Sequence, residues 1–580
     1  MSRTRFQPHL SQHQDTNGGT MPPTTTNQYA IHETPLFSPR PLRIITIGAG
    51  ASGINMIRTL RQTLGTLPYS HVLYEKNSDV GGTWFENRYP GCRCDVPSHN
   101  YQFSWRKNPE WTNFFASAGE IHGYLRRICE EEEMWGEIRT GCRVKGVRWH
   151  EERAKWEVRV EKGDGGEVVD LGDFLIDASG ILNNWVWPDI PGREEFEGQM
   201  VHTAAWPEDF TYDGKTLALI GNGASGVQVL PQIVPHAKKL YHPIRTPTWI
   251  LPPRVQTMKM GAAAPIVNQI EMDTSENFTP TQIERFKTDP TFYDTFTKAL
   301  DTDSNLKFAL SLMSTSPQQE WAAQKCREYM AAMLGGDERL CEVLIPKFPI
   351  GCRRLTPAPG YLEAMRDPKV EVVTEGIKRF TRKGIELENG EVLNVDAVIC
   401  ATGFDHSFVP PFPVVGRKGN LQDIWKKETP TSYMSLGIAG MPNYFKFLGP
   451  HAPISHGDVF TLSEHIATYI ARAIRKCQTE CILSMTPSDA AVADYAEHVA
   501  AFMPRTAWAG SCRSWYKAGG DGAVTALHPG SRLHFIEMLG EFRGEDWEYV
   551  YEGRGRSNRF GYLGNGFTRL EMDAMKGMKM

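Results

Sequence analysis

Two glycine-rich turns, each set between an apolar run and an amphipathic stretch, constrain this fold more than any other feature of the sequence. The first is LRIITIGAGASG, in which a β-prone run delivers Gly48-x-Gly50-x-x-Gly53. Ile54, Ile57, Leu60 and Leu64 then recur on one helical face. The second is KTLALIGNGASG, with Gly221-x-Gly223-x-x-Gly226 followed by VQVLPQIV. Strand, tight turn and helix in that order aim unpaired helix N–H groups and the positive dipole end at a pyrophosphate lying on the glycine backbone. The pattern predicts an α/β chain with two Rossmann-like dinucleotide-binding units.

One position tells the two units apart. The strand-like HVLYEK ends in Glu75, about twenty residues past the first turn, where a carboxylate suits a ribose diol and repels a 2′-phosphate. The matching run KKLYHPIRTP ends instead in Arg245 and Thr246. A guanidinium there accommodates the 2′-phosphate of NADP. The economical assignment is FAD in the first unit and NADPH in the second, with Ser225 of the second turn among the NADP contacts.

Bulk properties remove other classes. At 580 residues the chain can bury a large core, and a net charge of −5 gives no basic face for nucleic acid or an anionic membrane. No apolar run reaches the roughly 18–20 residues needed to span a bilayer. A single-chain cytoplasmic protein is expected, monomer or weak dimer. Residues 1–40, rich in Gln, Thr, Pro and Asn and without an apolar leader core, read as a disordered tail. The eleven cysteines are odd in number and scattered, so all are expected as unbridged thiols. None has a partner set at zinc spacing, and no metal is expected.

Three further stretches need an explanation. GGTWFENRYPGCRCD is too rich in Gly, Pro and aromatics for regular structure and closes on Asp95. FEGQMVHTAAWP places Phe196, Gly198, His202, Trp206 and Pro207 just ahead of the second glycine turn. FPIGCRRLTPAPGYLEAM sets Arg353 and Arg354 among Gly, Pro and apolar residues, a poor setting for an open helical face. Between the second turn and that pair, periodicity and the capping residues Thr279, Thr281 and Asp289 predict helices.

Together these stretches resemble the Baeyer–Villiger monooxygenases, the FAD- and NADPH-dependent class B flavoprotein monooxygenases. The first loop fits that family's long fingerprint at Gly82, Trp84, Tyr89, Pro90, Gly91 and Asp95. The second fits its short fingerprint, Phe-x-Gly-x-x-x-His-x-x-x-Trp-Pro, at every specified position. The resemblance implies that Gly82, Thr83 and Trp84 line the FAD site, and that Arg354 is the active-site arginine oriented by Asp95. It further implies that Arg353, standing where the family commonly has Lys, helps Arg245 and Thr246 hold the 2′-phosphate. Trp515, in CRSWYKAGG, falls at the tryptophan of a mobile loop that folds over NADP, although the family's Asn after the loop glycine is missing.

The implied reaction inserts one oxygen of O₂ beside a ketone carbonyl, through a C4a-peroxyflavin, to give an ester or lactone. His202 has no evident substrate and is expected to couple cofactor position to turnover. An N- or S-oxygenating flavoprotein and a non-catalytic flavin-fold protein are the alternatives. A disulfide reductase is disfavoured because Cys92-x-Cys94 is too closely spaced. The expected division is FAD domain over 41–198 and 396–580, NADP domain over 199–257 and 344–395, and a helical subdomain over 258–343. The returns DFLIDASGILN and DAVICATGFD are taken as the points where the chain leaves and re-enters the FAD domain.

Overall fold

The first apolar run forms the strand Leu42–Ile47, flanked in parallel by Tyr69–Tyr74 and Phe174–Asp177. Ile138–Arg139 and Tyr444–Lys446 complete this five-stranded sheet at its edges. The computed structural model describes residues 31–578 apart from 260, 262, 274 and 554–557. The helix Ala51–Leu64 buries the predicted face, Ile54, Ile57, Leu60 and Leu64, and packs against the long helix Val459–Thr479. A second layer, the antiparallel strands Cys142–His150, Lys155–Lys162 and Glu167–Gly172, closes over the sheet through a core that includes Trp149 and Trp156.

The second unit repeats the plan. Its strands lie in the order Val370–Val373, Lys239–Pro243, Thr216–Ile220, Ala397–Cys400 and Gln199–His202, all parallel. The two glycine turns are close copies. Gly48 and Gly221 have φ of +101° and +106°, and a Cβ at either would lie 2.7 Å from the Ala178 carbonyl oxygen or 2.3 Å from that of Ala401. Each turn thus presses on the end of its neighbouring strand, where only glycine fits.

That repetition corrects one expectation. The run beginning at Asp396 does not re-enter the FAD sheet. Ala397–Cys400 pairs on both sides within the second sheet, against Thr216–Ile220 and Gln199–His202. The reason is register: its four residues are buried and match the neighbouring strand residue for residue. The chain returns to the first unit only after residue 401, alongside its outward path. Asp405 N–H donates to the Asn184 carbonyl at 2.7 Å, and Trp185 and Phe404 form an antiparallel bridge.

Among the described residues of 254–344 helices predominate, with Pro280–Thr288, Pro290–Lys307 and Pro317–Met333 the longest segments. Thr279 closes a capping box with Gln282, and Asp289 caps the next helix, two of the three predicted starts. Thr281 instead lies inside the first of these helices. Most of the tail expected over 1–40 lies outside the described residues. Residues 31–40 are held: Leu36 and Phe37 N–H groups donate to Phe567 and Tyr562 carbonyls, and the Phe37 and Tyr562 rings stack. Among the described residues no helix is long and apolar enough to cross a membrane.

The expectation for the cysteines is overturned at one pair. Cys352 and Cys512, 160 residues apart, form a disulfide with Cα atoms 6.2 Å apart. Sequence spacing cannot disclose such a contact, because it arises where two distant loops meet.

Candidate active site

A cavity of about 1610 Å³ runs along the seam between the two sheets. It exceeds the roughly 300–1,000 Å³ of a single small-ligand pocket. Gly48, Gly50 and Glu75 line it on one side, and Gly221, Gly223 and Ser225 on the other. Gly53 and Gly226 lie behind, where a Cβ would fall 1.9 Å from the Gly48 oxygen and 2.0 Å from the Gly221 oxygen. Neither helix start is capped by a side chain, so the first-turn N–H groups at Gly50 and Gly223 face the cavity. A Cβ at Gly223 would meet nothing within 4 Å. Each turn is therefore a cradle of the shape and polarity that a pyrophosphate fills, so the residues present fit two dinucleotides.

Glu75 is buried at the strand end. Its carboxylate accepts the Ala49 N–H at 2.7 Å and the Asn77 N–H at 2.8 Å, which ties the first turn to the acid. Burial raises its pKa, and these two N–H groups oppose that rise. On the opposite side, the Asn222 amide donates to the Thr246 carbonyl at 3.0 Å. Arg353 donates to the carbonyls of Thr246 and Pro247, at 3.2 and 2.9 Å. Burial, and then the neighbouring Arg245 cation, lower the Arg353 pKa. Two neighbouring cations at this end of the cavity suit a compact dianion.

The long fingerprint loop crosses the seam. Gly82, Thr83 and Trp84 line the cavity at the start of the short helix Thr83–Glu86, and Trp84 meets Tyr101 edge-on at 5.5 Å. Tyr89 donates its hydroxyl to Gln228 of the second unit's helix at 2.8 Å. The Gln228 amide donates in turn to the Arg93 carbonyl at 3.1 Å. A Cβ on Gly91 would lie 2.9 Å from the Gln228 oxygen, so glycine lets loop and helix touch.

At the far end Asp95 grips Arg354. Nε and Nη2 donate to the two carboxylate oxygens at 2.6 Å each, and Nη1 donates to the Ile454 carbonyl at 3.1 Å. Burial opposes both charges, but each outweighs it for the other: the Asp95 pKa is lowered and that of Arg354 raised. A little over a quarter of the Arg354 side chain, 28%, remains open to the cavity. Sequence reasoning missed two neighbours. Burial pushes the Tyr516 phenol up to about 12 against the pull of Arg354. Burial drives the Lys307 ammonium down to about 7, followed by Arg254, with Asp303 and Asp95 opposing. Lys307 has no motif that could have marked it; Tyr516 stands beside Trp515 in CRSWYKAGG, yet only the tryptophan drew a role from the sequence. Trp515 lines the cavity beside Tyr516, with ring centroids 4.7 Å apart.

The short fingerprint does not reach the cavity. Phe196 lies over Gly198, where a Cβ would be 2.4 Å from the Phe196 ring and 2.6 Å from the Asp396 carbonyl. His202 ends the edge strand Gln199–His202. Its ring stacks on Trp185 at 4.8 Å, and Nδ1 accepts the Ala204 N–H at 3.1 Å. Trp206 packs edge-on against Phe210 at 5.1 Å, and the Pro207 carbonyl accepts the Phe210 N–H.

The family description for NAD(P)-binding Rossmann-like domains matches residues 46–118. The FAD-binding monooxygenase tazF of Aspergillus terreus is 36% identical over 543 residues, 93% of this chain and 94% of that protein. A Baeyer–Villiger monooxygenase of Pseudomonas aeruginosa is 30% identical over 506 residues, 87% of this chain and 90% of the relative. The chain belongs to the Baeyer–Villiger class of FAD-binding monooxygenases. A solved structure, the OTEMO complex with FAD and NADP, superposes with a TM-score of 0.71 at 26% identity, covering 88% of this chain and 100% of that one. The monooxygenase therefore shares the fold of that structure over most of its length.

Proposed function

We propose that this monooxygenase inserts one oxygen atom of O₂ beside a ketone carbonyl, giving an ester or lactone, with NADPH as reductant. The observation that carries the reading is the Arg354–Asp95 pair at the cavity end, a permanent cation fixed on two nitrogens and still partly open to the cavity. FAD, when bound, supplies the two-electron activation of O₂. Gly48, Gly50, Gly53, Glu75, Gly82, Thr83 and Trp84 would hold it. Gly221, Gly223, Ser225, Gly226, Arg245, Thr246, Arg353 and Trp515 would hold the nicotinamide dinucleotide.

The chain's own residues do three things. Arg354 cannot release its proton at neutral pH, so it offers a fixed donor to oxygen anions that develop during the reaction. Asp95 sets the plane of that guanidinium and tempers its charge. The apolar walls and the Trp515 loop keep water from a site where an anionic oxidant would otherwise decay. The second unit is an insertion in the first, and the paired crossings at 184–187 and 402–405 form the joint between them. His202, stacked on Trp185 within that joint, transmits movement of one unit to the other.

A panel of ketones, sulfides and amines supplied with NADPH and ¹⁸O₂ tests the reading. One labelled oxygen in an ester is expected. Label only in a sulfoxide or an N-oxide, or hydrogen peroxide alone, overturns it.

A further inference from the structure

The disulfide stands where two elements of the proposed site meet. Cys352 is the residue before Arg353 and Arg354. Cys512 opens the loop that brings Trp515 to the cavity and Tyr516 into the field of Arg354. Both cysteines are buried, at 0% and 3% exposure. The chain runs close over the bridge: a Cβ on Gly510 would lie 3.2 Å from the Cys352 sulfur.

The loop is stitched to itself from the same end. Ser514 N–H donates to the Gly520 carbonyl at 2.7 Å. The Lys517 side chain, 4% exposed, donates to the Cys512 carbonyl at 2.9 Å and also to that of Gly510. The Trp515 loop is thus a preformed cap with a single covalent anchor, and the anchor is the arginine segment.

We propose that the Cys352–Cys512 disulfide is a positioning device for the oxygenating site, holding the Trp515–Tyr516 loop in register with Arg353 and Arg354. This rests on the reading of the cavity given above. Trp515 is three residues from the anchor, so its Cα stays within about 10 Å of the Cys512 Cα however the loop opens. Without the bridge, the loop keeps the buried Tyr516, whose carbonyl accepts the Thr525 and Ala526 N–H groups, but the stretch from the turn Ala507–Ala509 to Tyr516 loses its tie to the arginine segment. The loop then has many more conformations to lose when the dinucleotide binds, and preorganisation is lost with them.

Bridge formation breaks the S–H bonds of Cys352 and Cys512 and forms one S–S bond. Two protons and two electrons pass to hydrogen peroxide, which is reduced to two waters. A thiolate reductant reverses the step through a mixed disulfide. Burial of both sulfurs means that this reversal waits on loop opening.

The test begins with the holoenzyme, never exposed to reductant, alkylated under denaturing conditions and digested. A peptide linking Cys352 to Cys512 is expected; alkylation of both in a protein of full activity overturns the proposal. Cys512→Ser is then compared with the native enzyme, and phosphine-reduced native enzyme provides the same comparison without a substitution. Without the bridge, NADP⁺ is expected to bind about five- to tenfold more weakly by titration of the flavin spectrum, as preorganisation is lost. Trypsin is expected to cut sooner after Arg513, and more hydrogen peroxide to form per NADPH, while FAD content is kept. A linked peptide whose loss changes neither NADP⁺ affinity nor cleavage overturns the proposal. If no form converts a ketone, the functional reading fails, while linkage, affinity and cleavage still decide the role of the bridge.

Discussion

Arg354 and Asp95 meet through two parallel hydrogen bonds of 2.6 Å, across 259 residues of sequence. Such a pair costs more to break than to replace, because one partner alone leaves a buried charge. Arg354→Ala is expected to retain FAD and NADPH-driven flavin reduction, yet to lose ester formation by about 10²–10³-fold, the usual cost of one preorganised donor. Arg354→Lys keeps the charge without the fork and is expected to recover little. In urea denaturation, Asp95→Ala and Arg354→Ala together are expected to destabilise less than the sum of the two singles. Additive losses would show that the pair is not coupled.

Coenzyme choice is predicted at the other end of the cavity. Arg353 fixes the 246–247 backbone through two carbonyls, with Arg245 beside it. Arg245→Ala removes one charge-assisted contact, worth about 1.5–3 kcal/mol, so KM for NADPH is expected to rise roughly 10–100-fold. KM for NADH is expected to change little. Arg353→Ala is expected to raise KM for both coenzymes, because it also frees the loop carrying Arg245. An equal rise for NADH and NADPH in Arg245→Ala would remove the 2′-phosphate from the assignment.

Much of this was legible in the chain, and the failures have a common cause. Gly48, Glu75, Gly221 and Arg245 carry their meaning in local spacing, and a helix start at Thr279 is written in its own next four residues. Where the chain returns to the first sheet is not local. DAVICATGFD and DFLIDASGILN are equally apolar, and only pairing with Thr216–Ile220 assigns the former to the second sheet. Tyr516 and the Cys352–Cys512 bridge are likewise products of loops that meet in space, and Lys307, at the end of the helix Pro290–Lys307, reaches the site only through tertiary packing. The short fingerprint marked His202 in the sequence, but its stacking partner Trp185 was not legible there.

His202 ends a strand of one sheet and stacks on the linker that leaves the other. His202→Ala removes the stack and is expected to lower the ester formed per NADPH consumed, with peroxide making up the balance. FAD content and the rate of flavin reduction are expected to hold. His202→Phe restores the stack without the nitrogen and is expected to recover part of the coupling. If both variants couple as well as the native enzyme, the joint does not pass through this ring.

Acid sensitivity is predicted to begin with histidines, before any carboxylate. Burial depresses His202, His242 and His451 to about 4, and His99 and His456 to about 3. In the unfolded chain each titrates near the ordinary value of about 6.5. Between those limits the unfolded state binds more protons than the folded one, so stability rises with pH and is lost as pH falls from about 6.5 towards 4. Each histidine contributes at most about 1.4 kcal/mol per pH unit, less where the ring keeps some contact with water. Asp95 and Asp177, whose folded pKa values are lowered, act in the same direction but only below about pH 5, where unfolded carboxyls begin to protonate. Thermal denaturation between pH 7.5 and pH 5, at roughly constant ionic strength to hold screening fixed, is therefore expected to show Tm already falling by pH 6. His242→Gln is expected to flatten that slope even where it lowers Tm at pH 7.5. A Tm that stays level down to pH 5 would mean these rings are hydrated and not buried as neutral bases.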